Sequence, residues 1–348
     1  MMPEEWPIAA PVLDRNARAR GAGRGRLSTV RADFFLNPDE RLTEQERALM
    51  TAMLHCLVGD LADDLRALLP PGWVAANDED NAAMVAALTA AGLLDDPALV
   101  ALLLRRADEE RIGTAARARG GRRDARALQG LVSHHNGTVA AAAMALILAR
   151  GRRRDRFGQC LVGFDDLPRE TADALVQAIA AVLRIDVVGA RGAAAADQEI
   201  ASATTRLLAR HDPSRSVDAL VAGLVRLLDE ADVLADDLTI AAGQEGEVGF
   251  LAEVLGRRAG VPGSLALDEL LSGDASRVMA LMRIAGFSRE LSAGLLAGVG
   301  DLLGIADPGA AIGVYDSMTD DRLDAARSWL TSSPSYRAAL EALGNARG

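Results

Sequence analysis

Two histidines stand side by side at His134-His135, and a histidine precedes a cysteine at His55-Cys56. Such side chains can carry a phosphoryl group, ligate a metal, or pair a thiolate with a base. The spacing weighs against all three. Neighbours on a helix point about 100° apart, whereas ligands or a nucleophile and its base share a face at i, i+3 or i, i+4. His134-His135-Asn136-Gly137 reads instead as a tight connection, because Asn-Gly favours left-handed backbone and a helix C-terminus favours His through its dipole. Cys56 reads as a small buried apolar residue. The carboxylate runs Asp63-Asp64, Asp78-Glu79-Asp80, Asp108-Glu109-Glu110, Asp165-Asp166, Asp236-Asp237 and Asp320-Asp321 are of a type used by metal enzymes and glycosidases. Most fall at expected helix starts, where the dipole stabilises anions in any case. Neither an EF-hand spacing nor HExxH occurs. No catalytic residue, metal ligand or cofactor is expected from these residues.

Arginine carries the strongest lead. All 38 basic residues are Arg, so a P-loop lysine, a Schiff-base lysine and a kinase lysine are all excluded. The net charge of −11 is uneven: residues 1–160 sum to +1 and residues 161–348 to −12. Within residues 101–160, 13 Arg face 5 acids. They gather as Arg117, Arg119, Arg122, Arg123 and Arg126, then Arg150, Arg152, Arg153, Arg154 and Arg156. If consecutive helices stack, both runs fall at one edge of the N-terminal array. Arg binds carboxylate and phosphate bidentately. The alternatives are a solvated face or pairing with the acidic half, a protein partner with an acidic surface, and nucleic acid. Nucleic acid is the weakest, since Phe157 is the only aromatic nearby to stack a base and the chain is acidic overall. Gly-rich stretches at 21–25 and 243–249 follow no strand and imply no dinucleotide fold.

These groups would be positioned by helices. Half the residues are hydrophobic, only 3% are aromatic, and period-2 runs of β-branched residues are missing. Thr43-Glu44-Gln45-Glu46 is a capping box. Asp96-Pro97, Asp212-Pro213 and Asp307-Pro308 are helix starts. Ala91-Gly92-Leu93, Ala259-Gly260-Val261, Ala285-Gly286-Phe287 and Leu303-Gly304-Ile305 are helix stops closed by a left-handed glycine. One helix from Thr43 and a second carrying Leu61, Leu65 and Leu68 run into Pro70-Pro71-Gly72. A helix from Asp96-Pro97 gives way to a polar stretch at 105–123. Val139–Ala149, the longest apolar run, is shorter than the roughly 18 residues that span a bilayer. It reads as a buried helix, although its basic flank would suit membrane contact. Leu255–Leu270 and Leu281–Leu296 align with matching Arg, Ala-Gly and Leu positions at a shift of 26.

The expected organisation is a disordered Arg/Gly-rich tail at 1–40, helical-repeat domains at 41–186 and 198–348, and a linker at 187–197. The fold class is all-α: antiparallel helix pairs stacked as a HEAT-like α-solenoid, or an irregular array built the same way. RLTEQERALMTAMLHCLVGDLADDLRALL resembles the start of the bacterial DUF2336 proteins. LVSHHNGTVAAAAMALILARGRRRDRF with DDLPRETADALVQAIAAVLR resembles their middle, and GEVGFLAEVLGRRAGVPGSLALDELLSGDASRVMALMRIAGFS their later part. The resemblance spans roughly residues 40–300 and implies a helical, HEAT-like bacterial protein with no catalytic residues to carry over. Two unpaired cysteines and no visible signal peptide place the chain in a reducing cytoplasm. The functional expectation is a non-enzymatic interaction or regulatory scaffold whose arginines steer an acidic protein partner. Nucleic-acid binding by the N-terminal array is the alternative, and a His-centred phosphotransfer or metal-dependent activity the second.

Overall fold

Caps and stops decide where the helices lie, and they act as the residue types require. The computed structural model describes residues 43–73, 78–120 and 127–345. The 1–40 tail lies outside them. Sixteen α-helices make up the described residues: α1 Glu44–Leu68, α2 Asp78–Ala90, α3 Pro97–Gly120, α4 Ala127–Gly130, α5 Gly137–Arg152, α6 Arg169–Arg191, α7 Ala193–Leu208, α8 Val217–Glu230, α9 Asp236–Gln244, α10 Val248–Ala259, α11 Gly263–Leu270, α12 Ala275–Ile284, α13 Arg289–Val299, α14 Pro308–Ser317, α15 Asp320–Thr331 and α16 Pro334–Asn345. The fold is all-α. The one β-type pairing among the described residues is the isolated bridge between Arg154 and Cys160.

Thr43 accepts from Glu46 N at 3.3 Å, Asp96 from Ala98 N and Leu99 N at 2.8 Å each, Asp212 from Ser214 N at 3.0 Å and Asp307 from Ala310 N at 2.9 Å. Gly92, Gly260, Gly286 and Gly304 all have positive φ. In each case the following N–H reaches back to a carbonyl five residues earlier, as in Phe287 N to Met282 O at 2.9 Å and Ile305 N to Gly300 O at 2.8 Å. This is the Schellman closure read from the sequence. Phe287 and Ile305 fold into the core, while Leu93 stays exposed.

Four expectations change. The first two helices are one, since α1 runs unbroken for 25 residues through a buried Gly59. The polar stretch after Leu104 remains helical to Gly120. Residues 187–197 are helical except for Gly192, whose φ of 85° breaks α6 from α7. Alanine's helix propensity carries this weakly periodic segment, and one glycine suffices to turn it. The chain divides into two compact units between Val254 and Leu255, within α10. Finally, Cys56 is exposed rather than buried, because at about 100° per residue it points away from the rows Met53-Leu57 and Leu54-Val58-Leu61 that α1 turns inward.

In the first unit α1 is the centre. It packs against α2, α3, α6 and α7, and its Met50, Met53, Leu57, Leu61 and Leu65 are fully enclosed. Contacts of one helix with partners distant in sequence make this a bundle around α1 more than a strictly sequential stack. In the second unit α12 has the central place, packed by α11, α14 and α15. Its consecutive Val278, Met279, Ala280, Leu281 and Met282 are all buried, as befits a helix apolar on every side. No helix among the described residues is long and apolar enough to cross a membrane.

Candidate interaction surface

The polar half of α3 is built into the first unit by ion pairs. Buried Arg106 donates to Glu109 on its own helix and to Asp218 in the first turn of α8, both at 2.6 Å. Arg105 meets the same Asp218 at 3.3 Å. Burial pushes the Asp218 carboxyl up, but Arg106 and Arg105 outweigh it and hold it below the usual range. Burial also works against the Arg106 charge, and Glu109 and Asp218 overcome it. Arg111 reaches buried Asp108 at 3.2 Å and Glu46 of α1 at 3.7 Å. The Asp108-Glu109-Glu110 run therefore sits mid-helix and pairs with arginine, rather than standing at a helix start.

Asp166 is the second anchor. Its buried carboxylate accepts from Arg153 Nε at 2.6 Å, Gly163 N at 2.8 Å and Val217 N at 3.0 Å. The Arg153 guanidinium lies across Gly163, where a Cβ would clash with its Cζ. Glu245-Gly246-Glu247 is a third anchor. The Glu245 carboxylate accepts from Ala127 N at the start of α4 (2.8 and 2.9 Å), and Glu247 pairs with Arg150 of α5 at 2.6 Å. Between them Gly246 lies against Gly113 of α3. The glycine-rich stretch at 243–249 is thus a clamp on three helices.

The described arginines of the two runs can now be placed. Arg117 and Arg154 converge on Glu110, at 3.2 and 2.8 Å. Arg150 meets Glu247 and Arg153 meets Asp166. Arg119 is exposed on α3. Arg122, Arg123 and Arg126 lie outside the described residues. Arg152 and Arg156 are exposed and meet no carboxylate among the described residues. Arg156 instead lies over the Phe157 ring, 4.7 Å from its centre.

Arg152 borders an unusual surface, and Arg156 follows it four residues later in the chain. α5 buries Val139, Ala143, Leu146 and Ala149 and packs on α8. Its outward row is Ala141, Met144, Ala145 and Leu148, all exposed, with Met144 at 42% and Leu148 at 53%. At 100° per residue Arg152 falls on the same row. The run 139–149 is thus a helix packed on one side only, not the buried helix its composition predicts. Directly after it, residues 153–161 form a small hairpin. Leu161 N donates to Arg153 O at 2.8 Å and Asp155 N to Gln159 O at 3.0 Å. The Asp155 side chain accepts from Phe157 N and Gln159 N, each at 2.8 Å. That turn fixes Arg156 and Phe157 at the tip, and Phe157 is 75% exposed.

The thiols and imidazoles form no reactive set. Burial and the Glu110 carboxylate push the Cys160 thiol up to about 11, which removes thiolate at neutral pH. Burial, Asp60 and Asp155 push Cys56 up as well. His134 accepts from Asn136 N at 3.1 Å, and its ring lies 4.2 Å from that of His135. Asn136 in turn caps α5 by accepting from Thr138 N and Val139 N. No group of three His, Cys, Asp or Glu side chains among the described residues converges on a metal position. No protein-family profile, characterised protein or solved structure matches the chain, so the resemblance to the DUF2336 proteins rests on its quoted segments alone.

Proposed function

We propose that this chain is a non-enzymatic interaction protein that holds another protein against the outer face of α5 and the hairpin that follows it. One observation carries the reading. A helix with no charge on its solvent side from Gly137 to Gly151 ends at Arg152, Arg156 follows in the hairpin, and neither arginine meets a carboxylate among the described residues. A helix apolar all round belongs in an interior, and a partner would complete one here. Met144, Leu148 and Phe157 are 42%, 53% and 75% exposed, so covering them stabilises a complex by about 1–2 kcal/mol each before the cost of association. Arg and aromatic side chains are the residue types that dominate such contacts.

The arginines steer an acidic partner in this reading, but only Arg152 and Arg156 among the described members are left for it. That also lowers the support for nucleic acid, whose affinity grows with each phosphate neutralised. Membrane docking draws on the same two charges, at about 1 kcal/mol apiece. The free, unpaired Cys56 and Cys160 fit a reducing compartment, and we place the protein in the cytoplasm on that ground.

The test compares tagged wild type with Leu148→Asp, recovered from source cells at low salt. Leu148 is half exposed, so the variant retains the wild-type melting temperature within about 2 °C. A protein enriched by wild type and lost from the variant supports the reading. Identical recoveries overturn it.

A further inference from the structure

We propose that the partner presents an amphipathic α-helix carrying carboxylates at one end, laid along the outer row of α5. The inference rests on the reading above and specifies the chemistry of the occupant. The shape of the row points to a helix. Ala141, Met144, Ala145 and Leu148 recur at the i, i+3, i+4, i+7 spacing of one helix face. Ala141 and Ala145 let a second backbone approach closely, while Met144 and Leu148 stand as ridges to fit between its side chains. Sixteen residues of α5 give about 24 Å of track, enough for four turns of a partner.

Charge sets which end carries the acids. The face is neutral along α5 until Arg152, and Arg156 follows on a turn held rigid by Asp155. The neighbouring arginines already have carboxylates: Arg150 has Glu247, Arg153 has Asp166, and Arg154 has Glu110. The Asp155 carboxylate is itself engaged in the turn. The only cationic capacity assigned to the partner therefore lies at the C-terminal end of α5, beside Phe157. A helix with apolar residues at i, i+3 or i+4, and i+7, and with Glu or Asp within a turn of its last apolar position, matches this layout. Among the described residues of the arginine runs, the two cations that meet no carboxylate are fewer than an anionic bilayer or a phosphate chain rewards.

The test uses the full chain as bait for a displayed library of 16-residue peptides on an alanine-rich helical frame. Enriched peptides are expected to show the apolar period and a net negative end. They should bind Leu148→Asp about tenfold more weakly or worse. They should also weaken on the Arg152→Glu, Arg156→Glu double variant, and regain affinity there when their acids are replaced by Lys. Enrichment of peptides without acids or period, no enrichment at all, or binding indifferent to these variants overturns the proposal. So does Leu148-dependent binding to phosphatidylglycerol vesicles that the peptides do not displace, or a concentration-dependent dimer that Leu148→Asp abolishes. If the peptides fail while Leu148→Asp still loses a cellular protein, the interaction stands and only the helical, acidic occupant is wrong.

Discussion

Asp166 joins three pieces of chain through one carboxylate: the end of α5 through Arg153, its own turn through Gly163, and the start of α8 through Val217. Removing it leaves a half-buried guanidinium and a buried N–H without their acceptor. Asp166→Ala should lower stability by about 3 kcal/mol or more. In urea this appears as a lower midpoint at unchanged slope. Asp218 behaves differently because its carboxylate is part-exposed and Arg106 keeps Glu109. Its native pKa lies below the unfolded value of about 3.9. Its contribution is therefore full above that value and is lost as pH falls through the native one. Between pH 5 and pH 2, wild type should lose more stability than Asp218→Asn, measured as the difference in urea midpoints. Identical acid limbs would show that Asp218 adds nothing to the charge balance of Arg106. For the thiols, a maleimide at pH 8 should label exposed Cys56 well before Cys160, whose pKa is near 11.

At the scale of elements, the turn between α9 and α10 makes the sharpest demand. Gly246 has φ of 77°, and a Cβ there would meet Gly113 Cα at 2.8 Å and Ala116 Cβ at 2.9 Å. Gly246→Ala adds left-handed strain to a backbone clash and should cost about 2–4 kcal/mol, read from thermal or urea unfolding. An unchanged midpoint would contradict the close approach. Helix ends were legible in the sequence because their signals are local: Thr43, Asp96, Asp212 and Asp307 start helices, and Gly92, Gly260 and Gly286 stop them, while Gly304 closes the turn that follows the end of α13 at Val299. The helical continuation of α3 was not legible, because what secures its charges is far away. Arg106 and Asp218 lie 112 residues apart, and Arg154 and Glu110 lie 44 apart. The arginine runs were visible as composition, yet Arg150, Arg153 and Arg154 are held by carboxylates that only the fold brings to them, and Arg117 by Glu110 two turns back on α3. Phe157 was noticed for its aromatic ring, but its display depends on the Asp155 turn. The outer row of α5 was misread as interior for a plain reason: Met144 and Leu148 carry an interior composition without an interior on that side.

At the scale of the whole molecule there are two helical units, each gathered around one central helix. Ion pairs consume most of the described basic residues in the arginine runs, and what remains is an apolar row with two cations at one end. The account's central claim is that another protein covers this row. A photoreactive amino acid at position 144 tests it most directly in source cells, with the same probe at exposed Thr205 of α7 as the control. The account predicts a discrete protein adduct from position 144, absent from position 205 and diminished by Arg152→Glu with Arg156→Glu. A probe at 144 that yields no adduct beyond the control, or only lipid adducts, would contradict it.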